Sequence, residues 1–210
     1  PHAPVRLMRT TRINAHEKAI LIDLLRHECD YELPDEVMDE FLTPGRVMKV
    51  PKWHTVIASG DKNPDIYIAM EGIMRCWYWD GDREKTALFS TIPTMFLSYH
   101  TYYGGEPSFY NFQTCTPAKI VHITRRHFDD MIATNLEFAR WNLRLAYEQL
   151  YYYEVKSRLN TGMAMERYQT LLKEIPNIVN EVPLQTVASY LDITPQHLSR
   201  LRRSLAKERL

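Results

Sequence analysis

The sequence is poor in cysteine, and its three cysteines, Cys29, Cys76 and Cys115, lie far apart. No CxxC pair and no Cys/His spacing typical of a zinc or iron–sulfur site is present. The histidines form no HxxxH or HExxH pair, and glycine-rich phosphate loops and serine nucleophile elbows are missing. We therefore predict no metal, no cofactor and no enzymatic activity. The dispersed thiols are expected to be reduced and partly buried, as in a cytoplasmic protein.

Long apolar runs and an excess of charge of either sign are also absent. No stretch is apolar enough to cross a membrane, and none resembles a secretory signal, so no membrane partner is predicted. The 26 basic and 26 acidic residues balance in a chain of 210 residues. A nucleic-acid-binding surface must therefore be local rather than spread over the molecule.

A paired-helix pattern lies near the carboxyl end of the sequence. From Leu184 to Leu191, apolar residues recur at the spacing of one helix face, and Asp192-Ile193 interrupt them. Thr194 is a good N-cap, and Pro195 suits the first position of a second helix, where its missing N–H has no partner to lose. Two short helices joined by a tight turn predict a helix-turn-helix motif.

The second of these helices has a polar and basic face, which predicts contact with DNA. Gln and Arg side chains in its first turns can pair with base edges in a major groove, and arginines farther along can meet phosphates. A helical hairpin whose charges are simply solvated is the alternative interpretation. The predicted DNA-contacting residues are Thr194, Pro195, Gln196, His197, Ser199, Arg200, Arg202 and Arg203, with Lys207 and Arg209 as further phosphate contacts.

From about Arg46 to Ile123 the apolar period changes to two, as in β-strands. Short runs rich in β-branched and aromatic residues alternate with turn signals, of which Asp80-Gly81-Asp82 predicts a hairpin with a two- or three-residue loop. Many short strands at this spacing predict an antiparallel barrel or jelly roll. Two short helices, from Asn14 to His27 and from Pro34 to Thr43, are predicted before it. The predicted strands are Val47–Val50, His54–Ala58, Ile66–Met70, Ile73–Trp79, Lys85–Ile92, Phe109–Thr116 and Lys119–Ile123.

A long helix without proline or glycine is predicted from Thr134 or Asn135 to about Asn160, after a brief one from Thr124 to Met131. One apolar stripe on it has heptad-like spacing and predicts a dimer interface. A second stripe is expected to pack against the roll; burial of both stripes within one monomer is the alternative. The first stripe is Leu136, Ala139, Leu143, Ala146, Leu150 and Tyr153, and the second is Phe138, Trp141, Leu145 and Tyr152.

Three parts are therefore predicted in an α+β chain. They are an N-terminal antiparallel β jelly roll (residues 1–133), a long dimerisation helix (134–160) and a C-terminal helix-turn-helix domain (161–210). Thr161-Gly162 is the predicted hinge between the last two parts. One further helix, from Met163 to Ile175, is expected before the paired helices.

In this order of parts, the chain resembles the cyclic AMP receptor protein and fumarate–nitrate regulator (Crp/Fnr) family of bacterial transcription factors. The resemblance covers almost all of the chain and is carried by Glu166–Leu172, by Val182–Arg203 and by the strand–glycine–strand segment Tyr67–Arg75. It implies a sequence-specific transcription regulator that binds a palindromic duplex operator as a homodimer. RNA polymerase is a further candidate partner on the same grounds.

The resemblance also implies which recognition-helix residues contact bases. By position they are Pro195, Gln196 and Arg200. A proline side chain donates no hydrogen bond, so His197 and Arg203 are the candidate substitutes for the first of these contacts.

A cyclic-nucleotide-like domain is implied as well, but the family's nucleotide-binding residues are not matched. Ser98 stands near the position of the family's ribose-binding Glu, and Ser108 stands near that of its phosphate-binding Arg. A phosphate in a partly buried pocket is unfavourable without its Arg, so we do not expect cyclic AMP to bind with ordinary family affinity. The family's N-terminal iron–sulfur cysteine cluster is also absent.

The roll is instead rich in aromatic residues. We expect either an aromatic core without a ligand or a pocket for a flat or apolar effector of unknown identity, with Gly104-Gly105 allowing a mobile loop over it. A second function hypothesis is a small-molecule-sensing or protein-interaction module whose C-terminal helices contact protein rather than DNA. The residues predicted to line the effector pocket are Arg75, Trp77, Phe96, Ser98, Tyr99, His100, Ser108, Tyr110 and Gln113.

Overall fold

Strands and helices of the chain were assigned from a computed structural model, which describes residues 8–26, 29, 31–90, 94–159 and 162–208. Within those ranges, the side chains of residues 152, 155–159 and 207–208 are not described. The strands are β1 (Thr10–Arg12), β2 (Arg46–Val50), β3 (Thr55–Ile57), β4 (Ile66–Glu71), β5 (Met74–Asp80), β6 (Arg83–Ser90), β7 (Thr94–Phe96), β8 (Asn111–Thr114) and β9 (Ala118–Ile123). The helices are α1 (Ala15–Arg26), α2 (Asp35–Leu42), α3 (Tyr99–Gly104), α4 (Arg125–Thr134), α5 (Leu136–Leu159), α6 (Ala164–Glu174), α7 (Ile178–Glu181), α8 (Leu184–Tyr190) and α9 (Pro195–Glu208).

These strands form two antiparallel sheets, which confirms the predicted roll. The first has the order β1-β2-β9-β4-β7 and the second has the order β3-β8-β5-β6. Strands β5 and β6 form the predicted hairpin, and because Asp80 pairs with Arg83 its loop has the two residues Gly81-Asp82. The strand β6 ends the second sheet, so among the described strands one of its edges has no partner strand.

Period-two alternation along the first sheet separates two apolar cores. On β4, Tyr67 and Ala69 point into the roll and pack with residues such as Met74 and Phe96 of the other strands. Their neighbours Ile66 and Ile68 point the other way, into a core shared with the helices α1, α2, α4 and α5. The sheet is therefore covered on both faces, which accounts for the almost unbroken apolar character of this strand.

The long helix α5 is fixed to the roll by one of its two predicted stripes. Phe138 and Trp141 have no exposed surface, and Leu145 is also buried. The three side chains join the core with Phe41 of α2 and Phe128 of α4. The prediction for this stripe is confirmed at these three positions, and the side chain of Tyr152 lies outside the described residues.

Gly72 explains the strand–glycine–strand segment between β4 and β5. Its φ is +98°, a backbone conformation that residues with a side chain rarely adopt. A Cβ atom at this position would lie 2.7 Å from the carbonyl oxygen of Pro117. Both the turn and the close approach of the β8–β9 connection therefore require glycine here.

Sequence patterns missed several short elements. The strands β1 and β7 have three residues each, too few to show an alternation. The helix α3 was not predicted. At Gly104-Gly105, where a mobile loop was expected, Gly104 ends this helix and Gly105 caps it with a φ of 71°. The helix α7 has only four residues and was also missed.

The three cysteines are buried and form no disulfide. Burial raises the pKa of the Cys115 thiol to about 12. This thiol is therefore protonated at neutral pH and is a poor nucleophile or metal ligand. The finding agrees with the expectation of structural, reduced thiols.

An ion pair ties α1 to the first sheet. Asn14 and Glu17 cap each other's backbone amides at the start of α1, as predicted, and Lys119 of β9 lies 2.6 Å from Glu17. Burial acts to raise the pKa of Glu17, but the hydrogen bonds from Lys119 and from the Asn14 amide outweigh it, and the pKa is lowered. The ionised carboxylate therefore stabilises the fold above its unfolded pKa.

We expect the Glu17→Gln variant to have a free energy of unfolding about 1 kcal/mol lower than the native chain at pH 7, the size of one hydrogen bond. Because the pKa of Glu17 is lowered in the folded state, the difference should shrink as the pH falls through that pKa. Urea denaturation between pH 7 and pH 3 measures it. Glu71→Gln is the control, since Glu71 lies 3.9 Å from the same lysine but is largely exposed. Equal losses in both variants would contradict the assignment.

Candidate DNA-binding head and effector cavity

The helices α6 to α9, which we call the head, pack around one apolar core. Tyr168 and Leu171 of α6, Ala188 of α8 and Leu198 of α9 are buried in it. Their spacing along each helix gives one inward face, as the sequence predicted. The helices α6, α8 and α9 form the compact three-helix module that the sequence predicted.

The turn between α8 and α9 has a defined backbone path. Asp192 has a φ of 53°, a left-handed conformation that Asp adopts more readily than most residues. The amide of Ile193 donates to the carbonyl of Ala188 (3.1 Å). Arg167 of α6 donates from Nη2 to the carbonyl of Leu191 (2.9 Å), which fastens the turn to the first helix of the head.

The helix α9 begins as the sequence predicts. Thr194 Oγ1 accepts a hydrogen bond from the amide of His197 (3.1 Å), and Pro195 is the first helical residue. The helix is then held by Leu198, which is buried, with Leu201 and Leu205 packed against the same core. The helix-turn-helix geometry predicted from the sequence is therefore confirmed.

The polar face of α9 points to solvent. The predicted DNA-contacting residues divide by exposure, and the roles proposed for them stay predictions. Thr194, Gln196, Arg200, Arg202 and Arg203 are exposed, and Pro195, His197 and Ser199 are half-buried. The side chain of Lys207 and all of Arg209 lie outside the described residues.

The head docks on the open edge of β6. Ser189 of α8 accepts a hydrogen bond from the amide of Thr86 at its Oγ and donates one to the carbonyl of Glu84, both at 2.8 Å. One hydroxyl therefore satisfies two backbone groups that a neighbouring strand would otherwise bond. This arrangement covers part of the sheet edge and fixes α8 against the roll.

Two further contacts extend this docking surface. The rings of Phe89 and Tyr190 lie 5.0 Å apart, and Lys85 Nζ lies 3.4 Å from Asp192 Oδ1. Partial burial acts to lower the pKa of Lys85, but the charge and hydrogen bond of Asp192 outweigh it, and the pKa is raised. The turn of the head is thus paired electrostatically with the edge strand of the roll.

A cavity of about 1040 Å³ lies beside this docking surface. It is bounded by strands of both sheets, by α3, by one side of α5 and by the head. Six of the residues predicted for the effector pocket line it; their proposed role in binding stays a prediction. They are Arg75, Phe96, Ser98, Tyr99, His100 and Tyr110.

Trp77, Ser108 and Gln113 are not among the described residues that line this cavity, and their role in an effector site also stays a prediction. Trp77 lies between Cys76 and Tyr78 on the strand β5. Those two residues line the cavity, so the Trp77 side chain points to the opposite face of the sheet. Gln113 is the cross-strand partner of Arg75 on that opposite face.

Ser108 is buried beside the cavity and donates from its Oγ to the carbonyl of Tyr110 (2.9 Å).

The guanidinium of Arg75 is held on that opposite face. Its Nε donates to Gln113 (2.8 Å) and its Nη2 to Glu84 (3.0 Å). It also lies 4.9 Å from the ring centre of Trp77 and 5.6 Å from that of Trp53. Of the predicted polar border, Arg75 and His100 line the cavity and Gln113 does not, and the Arg75 guanidinium is already bonded to Gln113 and Glu84.

Five of the lining residues that the sequence analysis did not assign to the pocket belong to α5 and the head. None is adjacent in sequence to the predicted pocket residues, and only the packing of α5 and the head against the roll brings them there. No local pattern signals such a contact. They are Gln149, Tyr153, Arg167, Tyr190 and Asp192.

The predicted dimer stripe of α5 is largely exposed in the single chain. Leu136 and Leu150 are each 64% exposed and Leu143 is 51% exposed. Ala146 is exposed and Ala139 half-buried, while Tyr153 is 46% exposed at the edge of the stripe and lines the cavity. Burial of both stripes within one monomer is therefore wrong for this stripe.

Neither a metal-binding cluster nor a membrane-spanning helix is found in the described ranges. No group of three or more His, Cys, Asp or Glu side chains there is arranged to hold a metal ion. Within the same ranges, no helix combines the length and the apolar character needed to cross a membrane.

Solved structures of transcription regulators share this fold. FixK2 from Bradyrhizobium japonicum has a TM-score of 0.65 at 16% identity, over 78% of this chain and 85% of that chain. The c-di-GMP-responsive regulator CLP from Xanthomonas campestris has a TM-score of 0.62 at 15% identity, over 84% and 94%. The catabolite activator protein from Thermus thermophilus has a TM-score of 0.53 at 16% identity, over 88% and 87%.

No protein-family model and no curated protein matches the sequence. At identities this low, the structural likeness establishes the fold. The fold is that of Crp/Fnr regulators, with a cyclic-nucleotide-binding-like roll and a C-terminal helix-turn-helix.

We expect Ser189→Ala to loosen the docking of the head by about 1 kcal/mol, since it leaves the Thr86 amide and the Glu84 carbonyl without this partner. Hydrogen exchange at the Thr86 amide should become roughly fivefold faster. Ser204→Ala, an exposed serine on α9, is the control. Unchanged exchange at Thr86 in the Ser189 variant would show that the contact does not hold the head in solution.

Proposed function

We propose that the chain is a sequence-specific, DNA-binding transcription regulator that acts as a homodimer. The observation that carries the proposal is the outward polar face of α9, with its capped start at Thr194 and its inner face buried on the head. A cytoplasmic location fits contact with DNA and three buried, free thiols.

The first turns of α9 provide the reading surface. Gln196 and Arg200 are exposed one helical turn apart, so both side chains can reach base edges when the helix lies in a major groove. Arg202 and Arg203 are exposed farther along and are placed to meet phosphates. Pro195 offers no side-chain donor, and half-buried His197 is the nearest candidate for a third contact.

The exposed stripe of α5 supplies the dimer contact. At 3.6 residues per turn, Leu143 lies roughly opposite Trp141 and Leu145 around the helix, so it faces away from the roll. Leucines repeated every seven residues on that face are suited to pairing with the same face of a second chain. A two-fold dimer would present two heads to successive major grooves, roughly 34 Å apart.

Cyclic AMP is not the expected effector. Ser108 stands where a phosphate-binding arginine is expected, and its hydroxyl is bonded within its own loop. The buried guanidinium of Arg75 is already bonded to Gln113 and Glu84. If Arg75 bonded to a phosphate instead, the carboxylate of Glu84 or the carboxamide of Gln113 would lose its hydrogen bond from the guanidinium.

We expect Arg200→Ala to weaken binding to a duplex selected from a random-sequence pool by about 1–3 kcal/mol and to relax the preference at one base pair of each half-site. Fluorescence anisotropy titration measures both. Arg126→Ala is the control, because Arg126 is an exposed arginine on α4, away from the head. Undiminished affinity and specificity in the Arg200 variant would show that α9 is not the reading helix.

The Arg202→Ala variant tests for contact with the DNA backbone rather than with bases. It should weaken binding to all sequences about equally and reduce the slope of log affinity against log salt by about 1. A nearly flat salt dependence of the native chain would instead favour a head that contacts protein rather than DNA.

We expect Leu143→Asp to convert the dimer to a monomer at micromolar concentration, because it places a charge in the centre of the proposed apolar seam. Light scattering measures the mass. Arg144→Asp is the control, one residue along the same helix and about 100° around it. A native chain that is already monomeric, or a Leu143 variant that stays dimeric, would exclude this seam.

A further inference from the structure

The cavity is shared by the roll, by α5 and by the head. Gln149 and Tyr153 reach it from α5, and Tyr190 and Asp192 reach it from the end of α8 and the turn. A molecule bound there would touch the turn of the helix-turn-helix directly.

The walls of the cavity are aromatic and already stacked. The rings of Phe96 and Phe112 lie 5.6 Å apart with an interplanar angle of 18°. The ring of His100 stacks on Phe109 at 3.8 Å, and its Nδ1 hydrogen bonds to the carbonyl of Pro107. Preformed flat surfaces of this kind favour offset or edge-to-face contact with another ring.

The charges that line the cavity are already matched. Lys85 is paired with Asp192, and the guanidinium of Arg75, on the other face of the sheet, is paired with Glu84. Arg167 donates to the carbonyl of Gly162 and to that of Leu191, the C-cap of α8, where the helix dipole adds partial negative charge. An anionic ligand would have to displace one of these partners before it gained a cation.

We propose that this cavity is an effector site shared between the roll and the head, and that it takes a neutral, planar aromatic molecule. Its volume of about 1040 Å³ lies at the upper end of the range for small-molecule sites. The ligand fills the space between the stacked rings and Tyr190, and it alters the contact of Tyr190 and Asp192 with β6. The proposal rests on the proposed DNA-binding function only for its final step, the readout by the head.

A matched pair of fluorescent probes tests the ligand class. N-phenyl-1-naphthylamine is neutral, and 8-anilinonaphthalene-1-sulfonate is the same ring system with an added negative charge. The full chain should bind the neutral probe at one site per chain, at least about fivefold more tightly than the sulfonate, and cyclic AMP should not compete. Absence of saturable neutral-probe binding, equal affinity for both probes, or competition by cyclic AMP would overturn the proposal.

Tyr190→Ala tests whether the head contributes to the site. It should weaken neutral-probe binding at least about fivefold by removing one aromatic wall. Trp79→Ala is the control, because Trp79 is an exposed aromatic residue of β5 and does not line the cavity. Equal probe affinity in the two variants would confine the site to the roll and overturn its shared character.

Asp192→Asn removes the negative charge beside Lys85 but keeps a side chain of similar size at the cavity. Asn also tolerates the left-handed backbone at this position. Because it leaves Lys85 without its carboxylate partner, affinity for the sulfonate should rise by roughly fivefold relative to the neutral probe. An unchanged preference would show that the Lys85–Asp192 pair does not set ligand charge.

Duplex binding on the same preparations separates the two proposals. With the selected duplex present, affinity for the neutral probe should change about fivefold or more, and the probe should change duplex affinity by the same factor. Probe binding without any duplex binding would overturn the proposed function but leave the site intact. Duplex binding that is normal but insensitive to a bound probe would overturn the link from the cavity to the head.

Discussion

The open edge of β6 is the constraint on which the arrangement of the chain depends. A terminal strand has backbone donors and acceptors that must be bonded or left to solvent. Here Ser189 bonds to two of them, and Phe89 and Lys85 of the same strand contact the next residues of the head. The position of the head is thus set by a sheet edge rather than by α5 alone.

This docking also explains why the cavity has a mixed boundary. The second sheet alternates its side chains, so Arg75 and Gln113 lie on one face and Cys76 and Phe112 on the other. The cavity lies on the latter side and reaches past β6 to the turn of the head. The head therefore forms one wall of the cavity, and the cavity borders the surface on which the head rests.

The two apolar faces of α5 differ in burial. Phe138, Trp141 and Leu145 bind the helix to the roll, while the leucines on the opposite face are exposed. Exposed leucines at heptad spacing are unfavourable in a single chain and become favourable when a second copy covers them. The exposed stripe of α5, the head and the cavity therefore lie within one region of the molecule, since Tyr153 belongs to the stripe and lines the cavity.

The sequence by itself determined the elements whose signals are local. The capped start of α9 at Thr194, the hairpin at Gly81-Asp82 and the buried stripe of α5 each depend on neighbours a few residues away, and each was predicted correctly. Short elements such as β7 and α3 were missed because three to six residues cannot establish a period.

Only the tertiary structure decided which distant residues meet. The contact of Ser189 with β6, the place of Tyr190 and Asp192 at the cavity, and the turning of Arg75 away from it all depend on packing between elements far apart in the chain. Sequence periodicity records which face of a strand or helix is apolar, but it carries no information on what that face or edge will touch. The cavity is such a long-range product, whereas the helix-turn-helix is a local one.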